Sequence, residues 1–169
     1  MASLREVEAR ERAQRITVRN CRVDLDLTGD TTTFVSRSVI RFTSDGLPTF
    51  IDVAPTALRA VRLNGSSLDV EALHAARFPL HPEAGENELV VEAVMGYRTD
   101  GEGLHRAVDP ADGLHYTYAM SFLDAGPSIF ACFDQPDLKA PYRLIVKAPG
   151  DWVVIGNAPG EQVEAGLWV

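Results

Sequence analysis

Over residues 16–27, apolar and polar residues mostly alternate, which is the period of a β-strand that buries one face. Within this stretch, Val23 and Leu25 alternate with Asp24 and Asp26. Strands satisfy their backbone N–H and C=O groups by pairing with other strands, so a chain with this pattern has to form sheets. The alternation therefore predicts an all-β domain.

Short strand-like stretches continue along the chain, separated by turn residues. They are residues 16–27, 33–42, 50–53, 58–63, 67–70, 88–95, 115–122, 142–147 and 152–155, and a last stretch, 162–169, that begins like a strand and is cut off. Turn residues between the first two predict an antiparallel hairpin, and Asn64-Gly65 is a strong two-residue hairpin signal because both positions tolerate a positive φ. Short strands at this spacing are typical of an antiparallel β-sandwich.

The first residues have a different character. Ser3 and Glu6 have the spacing of a capping box, in which a hydroxyl and a carboxylate satisfy free backbone N–H groups, and the residues that follow are rich in helix formers. This pattern predicts a short helix over about residues 4–14. The expected organisation is an N-terminal helix in residues 1–14 followed by a β-sandwich domain in residues 15–169.

Composition disfavours several classes of partner. The 169 residues carry a formal net charge of −8, whereas binding to nucleic acid needs a basic surface. No stretch approaches the roughly 20 apolar residues of a membrane span, and the charged N terminus lacks the apolar segment of a secretory signal. Cys21 and Cys132 form no Cys-x-x-Cys motif and are expected to be free thiols. We therefore expect a cytoplasmic protein that binds neither nucleic acid nor membrane.

The histidines do not indicate a metal site. None of the four stands in a His-Glu-x-x-His motif, which would place two imidazoles on one helical face. His105 and His115 flank a turn and could in principle meet across a hairpin, together with Asp109 or Asp112. The favoured interpretation is that they are strand-end histidines, hydrogen-bonded to backbone or water. We expect no metal ligand and no cofactor in this chain.

No catalytic residue is expected either. Neither Ser121 nor Ser128 lies in a Gly-x-Ser-x-Gly elbow, and Gly101-Glu102-Gly103 is too short and too acidic to hold a phosphate. An independent hydrolase is disfavoured because no pair of nucleophile and base, and no metal triad, can be assembled from the motifs present.

The densest local signal is residues 130–142, FACFDQPDLKAPY. It combines aromatic residues, which we expect to be buried, with an Asp/Pro/Asp turn whose carboxylates can accept backbone hydrogen bonds. By itself this pattern predicts a structured corner and no direct part in catalysis.

Part of this run, CFDQPDLKA at residues 132–140, resembles the Cys-Phe-Asp-Glu/Gln-Pro signature of the aminopeptidase N family of zinc metallopeptidases. Residues 101–106 (GEGLHR) and 109–113 (DPADG) resemble the passage before that signature, and residues 148–152 (APGDW) resemble the Ala-Pro-x-x-Trp corner after it. The likeness covers nearly the whole chain, in the family's order. It implies a saddle-like β domain at the N terminus of a longer protein, whose thermolysin-like catalytic domain would hold the zinc.

The resemblance also implies a stretch that faces the substrate. In the family, the aromatic strand before the signature leads into a Gln, and often a Glu two residues later, that line the site for the substrate's amino terminus. Counting back from Cys132, Met120 stands at the Gln position and Phe122 at the Glu position, with Ser121 between them. Met120, Ser121 and Phe122 are the candidate substrate-binding residues. We expect Met120 and Phe122 either to form a pocket for apolar side chains or to fill a core position.

Two functions remain open. The leading one is the N-terminal, non-catalytic domain of a zinc-dependent aminopeptidase that removes N-terminal residues from peptides. Such a domain would pack on the catalytic domain of the same polypeptide and form one wall of the cleft for the peptide substrate, with zinc in the full-length parent and none in this chain. The alternative is a free-standing β-sandwich that binds a protein or peptide through an exposed edge strand, which the last stretch would supply.

Overall fold

The computed structural model describes residues 4–122 and 124–169. In these residues a single α-helix, α1 (Glu6–Arg15), leads directly into the first of twelve strands. The strands are β1 (Ile16–Asp26), β2 (Thr33–Asp45), β3 (Thr49–Asp52), β4 (Ala57–Leu63), β5 (Ser66–Leu68), β6 (Arg77–Leu80), β7 (Ala84–Gly96), β8 (Gly103–Val108), β9 (His115–Met120), β10 (Tyr142–Lys147), β11 (Gln162–Glu164) and β12 (Leu167–Trp168). Short 3-10 turns lie at Val70–Ala72 and Gly126–Ser128. The predicted all-β fold with a short N-terminal helix is confirmed.

Eight strands form one sheet in the order β11-β12-β10-β1-β2-β7-β4-β5. The predicted antiparallel hairpin of β1 and β2 is present, and β1 pairs in parallel with β10 on its other side. The pairing of β1 with β2 shifts by one residue between Val18 and Asn20. This bulge explains why the next apolar residue after Val18 is Cys21, three positions on, because one extra residue restores the alternation on the buried face.

Two smaller sheets, β3–β6 and β8–β9, supplement the main one. A single apolar cluster joins side chains of the main sheet to those of β3, β6, β8 and the segment 129–133. Its largest fully buried members include Phe34, Phe42 and Met95 from the main sheet and Phe78 from β6. Burial of a side chain of this size stabilises the fold by about 1.5–3 kcal/mol, so the packed layers form one sandwich-like core.

The N-terminal helix begins differently from the prediction. The expected capping box includes Ser3, which lies outside the described residues. In the structure Arg5 precedes the helix, and its backbone N–H donates to the Glu8 carboxylate at 2.9 Å. The helix has the length of about three turns, and no helix among the described residues is long and apolar enough to cross a membrane.

Several strand predictions were wrong. Residues 152–155 form no strand, because the chain turns after β10: the Trp152 N–H donates to the Pro149 carbonyl at 3.0 Å. Residues 162–169 are not one interrupted strand but two short ones, β11 and β12, with Gly166 at a φ of 76° between them. β6 and β8 were not predicted. The predicted turn at Asn64-Gly65 is confirmed by φ values of 52° and 82°.

Candidate functional site

The candidate residues lie at the end of a two-stranded hairpin, β8–β9, which we call the arm. In its register Gly103 lies opposite Met120 at the base and Val108 lies opposite His115 near the tip. A parallel bridge between Arg98 and His105 joins β8 to the preceding segment. β9 has β8 as its one strand neighbour within the described part of the chain, so its other backbone edge is unpaired there.

One face of the arm is apolar and exposed. Residues opposite each other in an antiparallel pair share a face, so Tyr116, Tyr118 and Met120 lie on the face that also carries His105. The exposed fractions of these three side chains are 50%, 48% and 48%. The rings of His105 and Tyr118 stack at 4.8 Å between centroids, which orders the middle of this face. The arm therefore offers an ordered aromatic surface.

The three candidate residues continue this surface beyond the strand. Met120 is the last residue of β9, Ser121 is exposed, and Phe122 is 74% exposed in the turn that follows. The Ala125 N–H donates to the Phe122 carbonyl at 3.3 Å. Of the two alternatives for Met120 and Phe122, a pocket for apolar side chains or a core position, the described residues do not form the second, because both side chains are exposed and no second layer of these residues covers the end of β9.

A cavity of about 640 Å³ lies at the base of the arm. Its lining includes Tyr97, Arg98, Glu102, Asp124 and Ser128, together with small residues of the segments 54–56 and 75–76. The cavity is therefore bordered by the chain segments immediately before and after the arm.

The border of the cavity is negatively charged. The Arg98 guanidinium donates to both carboxylate oxygens of Asp100 and lies 3.7 Å from Glu102. Arg98 lowers the pKa of Asp100 to about 2, so that carboxylate stays charged. Asp124 is a third carboxylate of this region. The hydrogen bond to Asp100 raises the pKa of Arg98 most, and the charges of Glu102 and Asp124 raise it further. Two carboxylates, those of Asp100 and Glu102, thus lie within 4 Å of the one guanidinium, and Asp124 adds negative charge to the lining, an arrangement that favours cationic over anionic groups.

Arg106 attaches the opposite face of the arm to the body. Its guanidinium lies 5.0 Å from the ring centroid of Tyr97 and 5.6 Å from that of Trp152. Trp152 belongs to the APGDW corner and Arg106 to the GEGLHR passage, so two motifs far apart in sequence meet here. Cation–π contacts of this kind contribute about 0.5–2 kcal/mol each.

The CFDQP signature is a structural junction, in agreement with the interpretation as a structured corner. Cys132 and Asp52 exchange two backbone hydrogen bonds of 3.0 Å, which pair the signature with the end of β3. The Asp134 N–H also donates to the Asp52 carboxylate at 3.2 Å. Phe133 packs edge-on against Phe42 in the core, with ring centroids 5.3 Å apart. These contacts fix residues 132–134, which follow the candidate residues 120–122 in the chain, against β3 and the core.

The same junction fastens the N-terminal helix. Arg12 is 3% exposed and donates to the Asp52 carboxylate at 3.1 Å and to the Gln135 side-chain oxygen at 2.9 Å. Its guanidinium also lies 4.5 Å from the ring centroid of Phe50. The Gln135 amide in turn donates to the Ala9 carbonyl at 2.8 Å. Burial outweighs the attraction of Arg12 and raises the pKa of Asp52. Sequence reasoning missed Arg12, because nothing marks it among the other arginines of the helix.

The structure does not assemble a metal site from the histidines. His105 and His115 point to opposite faces of the arm, because their partners Tyr118 and Val108 lie on opposite faces. The His105 Nδ1 accepts a backbone hydrogen bond from Gly101 at 3.1 Å, as expected for a structural histidine. Among the residues that the structure describes, no three His, Cys, Asp or Glu side chains are placed to hold a metal ion.

Comparison by sequence identifies relatives that are much longer than this chain. No protein-family model matches it. It is 40% identical to aminopeptidase N of Streptomyces lividans over 172 residues, which cover 98% of this chain and 20% of that protein. It is 31% identical to leucine aminopeptidase 2-1 of Scheffersomyces stipitis over 123 residues, which cover 70% of this chain and 19% of that protein. The chain thus spans about a fifth of the length of these relatives.

Solved structures show the same fold at low identity. Legionella pneumophila aminopeptidase A, in complex with aspartic acid, matches 91% of this chain and 19% of its own with a TM-score of 0.65 and 16% identity. Native yeast LTA4 hydrolase matches 92% of this chain and 26% of its own with a TM-score of 0.73 and 14% identity. The sequence relatives, the shared fold and the signature at residues 132–140 agree, and this chain is an N-terminal domain of the aminopeptidase N-like family.

Proposed function

We propose that this chain is the N-terminal, non-catalytic domain of a longer zinc aminopeptidase that removes N-terminal residues from peptides. In this proposal the β-sandwich of residues 15–169, with its helical appendage in residues 1–14, packs on a catalytic domain of the same polypeptide. Met120, Ser121 and Phe122 form one wall of the substrate cleft. The observation that carries the proposal is the ordered apolar surface at the end of β9, exposed at the family's substrate-facing positions.

The catalytic groups and the zinc would be held elsewhere in the longer protein. The described residues of this domain contain no side-chain cluster suited to a metal ion. The length of the relatives leaves about four-fifths of such a polypeptide for the catalytic part. The role proposed for this domain is to bind and orient the substrate.

The chemistry of the wall indicates which substrates it favours. A thioether and a phenyl ring bind an ammonium group more weakly than an amide or a carboxylate does, and they lose exposed apolar area when an apolar side chain packs on them. Full burial of a side chain such as that of Phe122 contributes about 1.5–3 kcal/mol. We therefore expect a preference for peptides with apolar residues at or near the N terminus. The cytoplasm is the proposed location, since Cys21 and Cys132 are both free thiols.

The test uses the full-length protein and a double variant, Met120→Ala with Phe122→Ala. If these residues line the cleft, KM for a peptide with an N-terminal Leu rises about tenfold, and KM for one with an N-terminal Ala changes much less, because the lost contact is apolar. The matched control is Val153→Ala with Ile155→Ala, which removes side chains that are 74% and 90% exposed on another part of the surface. Equal effects of the two double variants would refute the proposed wall.

A free-standing binding module is the competing function. β11 forms one edge of the main sheet, and its three residues are exposed, so an edge for strand addition exists. An immunoblot of source cells with an antibody to this chain separates the two. A band several times larger than 18.4 kDa supports the aminopeptidase domain, and a band at that mass supports the module.

A further inference from the structure

At the base of the arm, the backbone of Gly103 packs so closely against Ser128 and Arg98 that a side chain would not fit. Gly103, opposite Met120, has a φ of 63°. A Cβ added there would lie 2.4 Å from the Ser128 Oγ and 2.7 Å from the Arg98 Cδ. Ser128 is 8% exposed, and its hydroxyl donates to the Ala125 carbonyl at 2.6 Å. The hydroxyl is therefore held where it is, and the Gly103 backbone packs directly against it.

This contact lies close to the candidate residues on both sides. Met120 is the cross-strand partner of Gly103, and Ser128 ends the 3-10 turn Gly126–Ser128 that the chain enters a few residues after Phe122. A change in the distance between Gly103 and Ser128 must therefore move the end of β9 relative to that turn. Farther along the arm, Arg106 contacts the rings of Tyr97 and Trp152 and keeps that part of the arm in place. We therefore expect the base of the arm, with Met120, to move.

We propose that Gly103 is a positioning residue: the absence of a side chain sets the spacing between the arm and Ser128, and thereby the place of Met120 and Phe122. The spacing itself is a property of this domain. Its consequence for substrate binding rests on the proposed function above.

Three variants isolate the contact. Gly103→Ala introduces both the clash and the strain of an L-residue at positive φ. Gly113→Ala, at the tip of the arm, is the matched control, because Gly113 has a φ of 72° and an added Cβ would meet nothing within 4 Å. Gly103→Ala combined with Ser128→Ala keeps the new methyl group and its approach to the Arg98 Cδ but removes the hydroxyl, which is the nearer of the two atoms.

The position of the arm is measured by NMR on this chain with ¹³C-labelled methionine methyl groups. The sequence has three methionines, of which Met95 is fully buried in the core and reports the fold, whereas Met120 reports the arm. Gly103→Ala is expected to shift the Met120 resonance by more than its line width and to leave Met95 unchanged. Gly113→Ala should leave both unchanged. The double variant should return Met120 part of the way toward its original position, because the approach of the methyl group to the Arg98 Cδ remains.

A Met120 resonance that does not move in Gly103→Ala, or that is displaced as far in the double variant as in Gly103→Ala, overturns the proposal. If Gly103→Ala does not fold, as shown by loss of the Met95 resonance, Ser128→Ala alone decides. Removal of the Ser128 hydroxyl leaves a gap against Gly103, so the spacing changes and the Met120 resonance is expected to shift. An unchanged Met120 in that variant refutes the positioning role.

In the full-length enzyme, Gly103→Ala should raise KM for an apolar peptide by about threefold or more, with a smaller change in kcat, and Ser128→Ala should partly restore KM in the double variant. Displacement of Met120 by NMR without any change in KM would uphold the positioning role and refute the assignment of residues 120–122 to the cleft. The two proposals therefore fail separately.

Discussion

Replacing Arg12 by Met tests whether the polar junction between α1 and the CFDQP signature stabilises the domain. The substitution keeps an apolar stem of similar length but removes the guanidinium that pairs with Asp52 at 3.1 Å. Loss of one partner of a buried ion pair typically costs about 3–5 kcal/mol, because the other charge remains buried. Asp52 keeps its hydrogen bond from the Asp134 N–H and lies 3.9 Å from Arg77, so we expect about 3 kcal/mol.

The assay is urea unfolding of the wild type, Arg12→Met, Asp52→Asn and the double variant. If the two side chains act as a pair, the double variant is less destabilised than the sum of the single ones by at least about 1 kcal/mol. Additive losses, or a loss below about 1 kcal/mol for Arg12→Met, would refute the reasoning. Arg10 and Arg15 provide a second measurement, because release of α1 should accelerate tryptic cleavage after both residues, whereas an intact junction should protect them.

The pH dependence follows from the direction of the Asp52 shift. Burial raises the pKa of Asp52 above its value in the unfolded chain, so the folded state binds the proton more readily. Its contribution to stability is therefore greatest below the unfolded pKa of about 3.9 and is lost as pH rises through the folded pKa. Without Arg12 the pKa of Asp52 rises further. The stability deficit of Arg12→Met should thus be smaller near about pH 4 than near about pH 7, and a deficit that grows on acidification would contradict this account.

Two further predictions concern Gly166 and the cysteines. Gly166→Ala should lower the free energy of unfolding, measured by urea titration, by about 2 kcal/mol or more, because its φ is 76° and the new Cβ would lie 2.4 Å from the Ala148 carbonyl oxygen. Gly150→Ala is the control, because an added Cβ there would have nothing within 4 Å. Its free energy of unfolding should be within about 0.5 kcal/mol of the wild-type value. Burial raises the pKa of Cys21 to about 11 and that of Cys132 well above its usual value. Both thiols should therefore react slowly with a disulfide reagent in the native protein and rapidly in urea, and fast labelling of native Cys132 would show that the junction opens.

The sequence by itself determined the features that depend on neighbours along the chain. Period-two alternation specified β1 and β2, since residues two apart in a strand share a face whatever covers that face. Asn64-Gly65 specified its turn because the tolerance for positive φ is local. The aromatic and acidic residues of segment 130–142 predicted a structured corner, and the family resemblance drew attention to Met120 and Phe122.

Tertiary structure decided what depends on neighbours across space. Residues 152–155 (WVVI) have the aromatic and β-branched composition of a strand, but the turn after Pro149 leads them away from a hydrogen-bonding partner. Whether Met120 and Phe122 are exposed depended on whether a further layer covers β9, which alternation within one strand cannot reveal. Arg12 and Gly103 are ordinary residues in the sequence. The role of Arg12 depends on Asp52, 40 positions away, and the role of Gly103 depends on Ser128. Both roles come from burial and close contact, which only the folded chain creates.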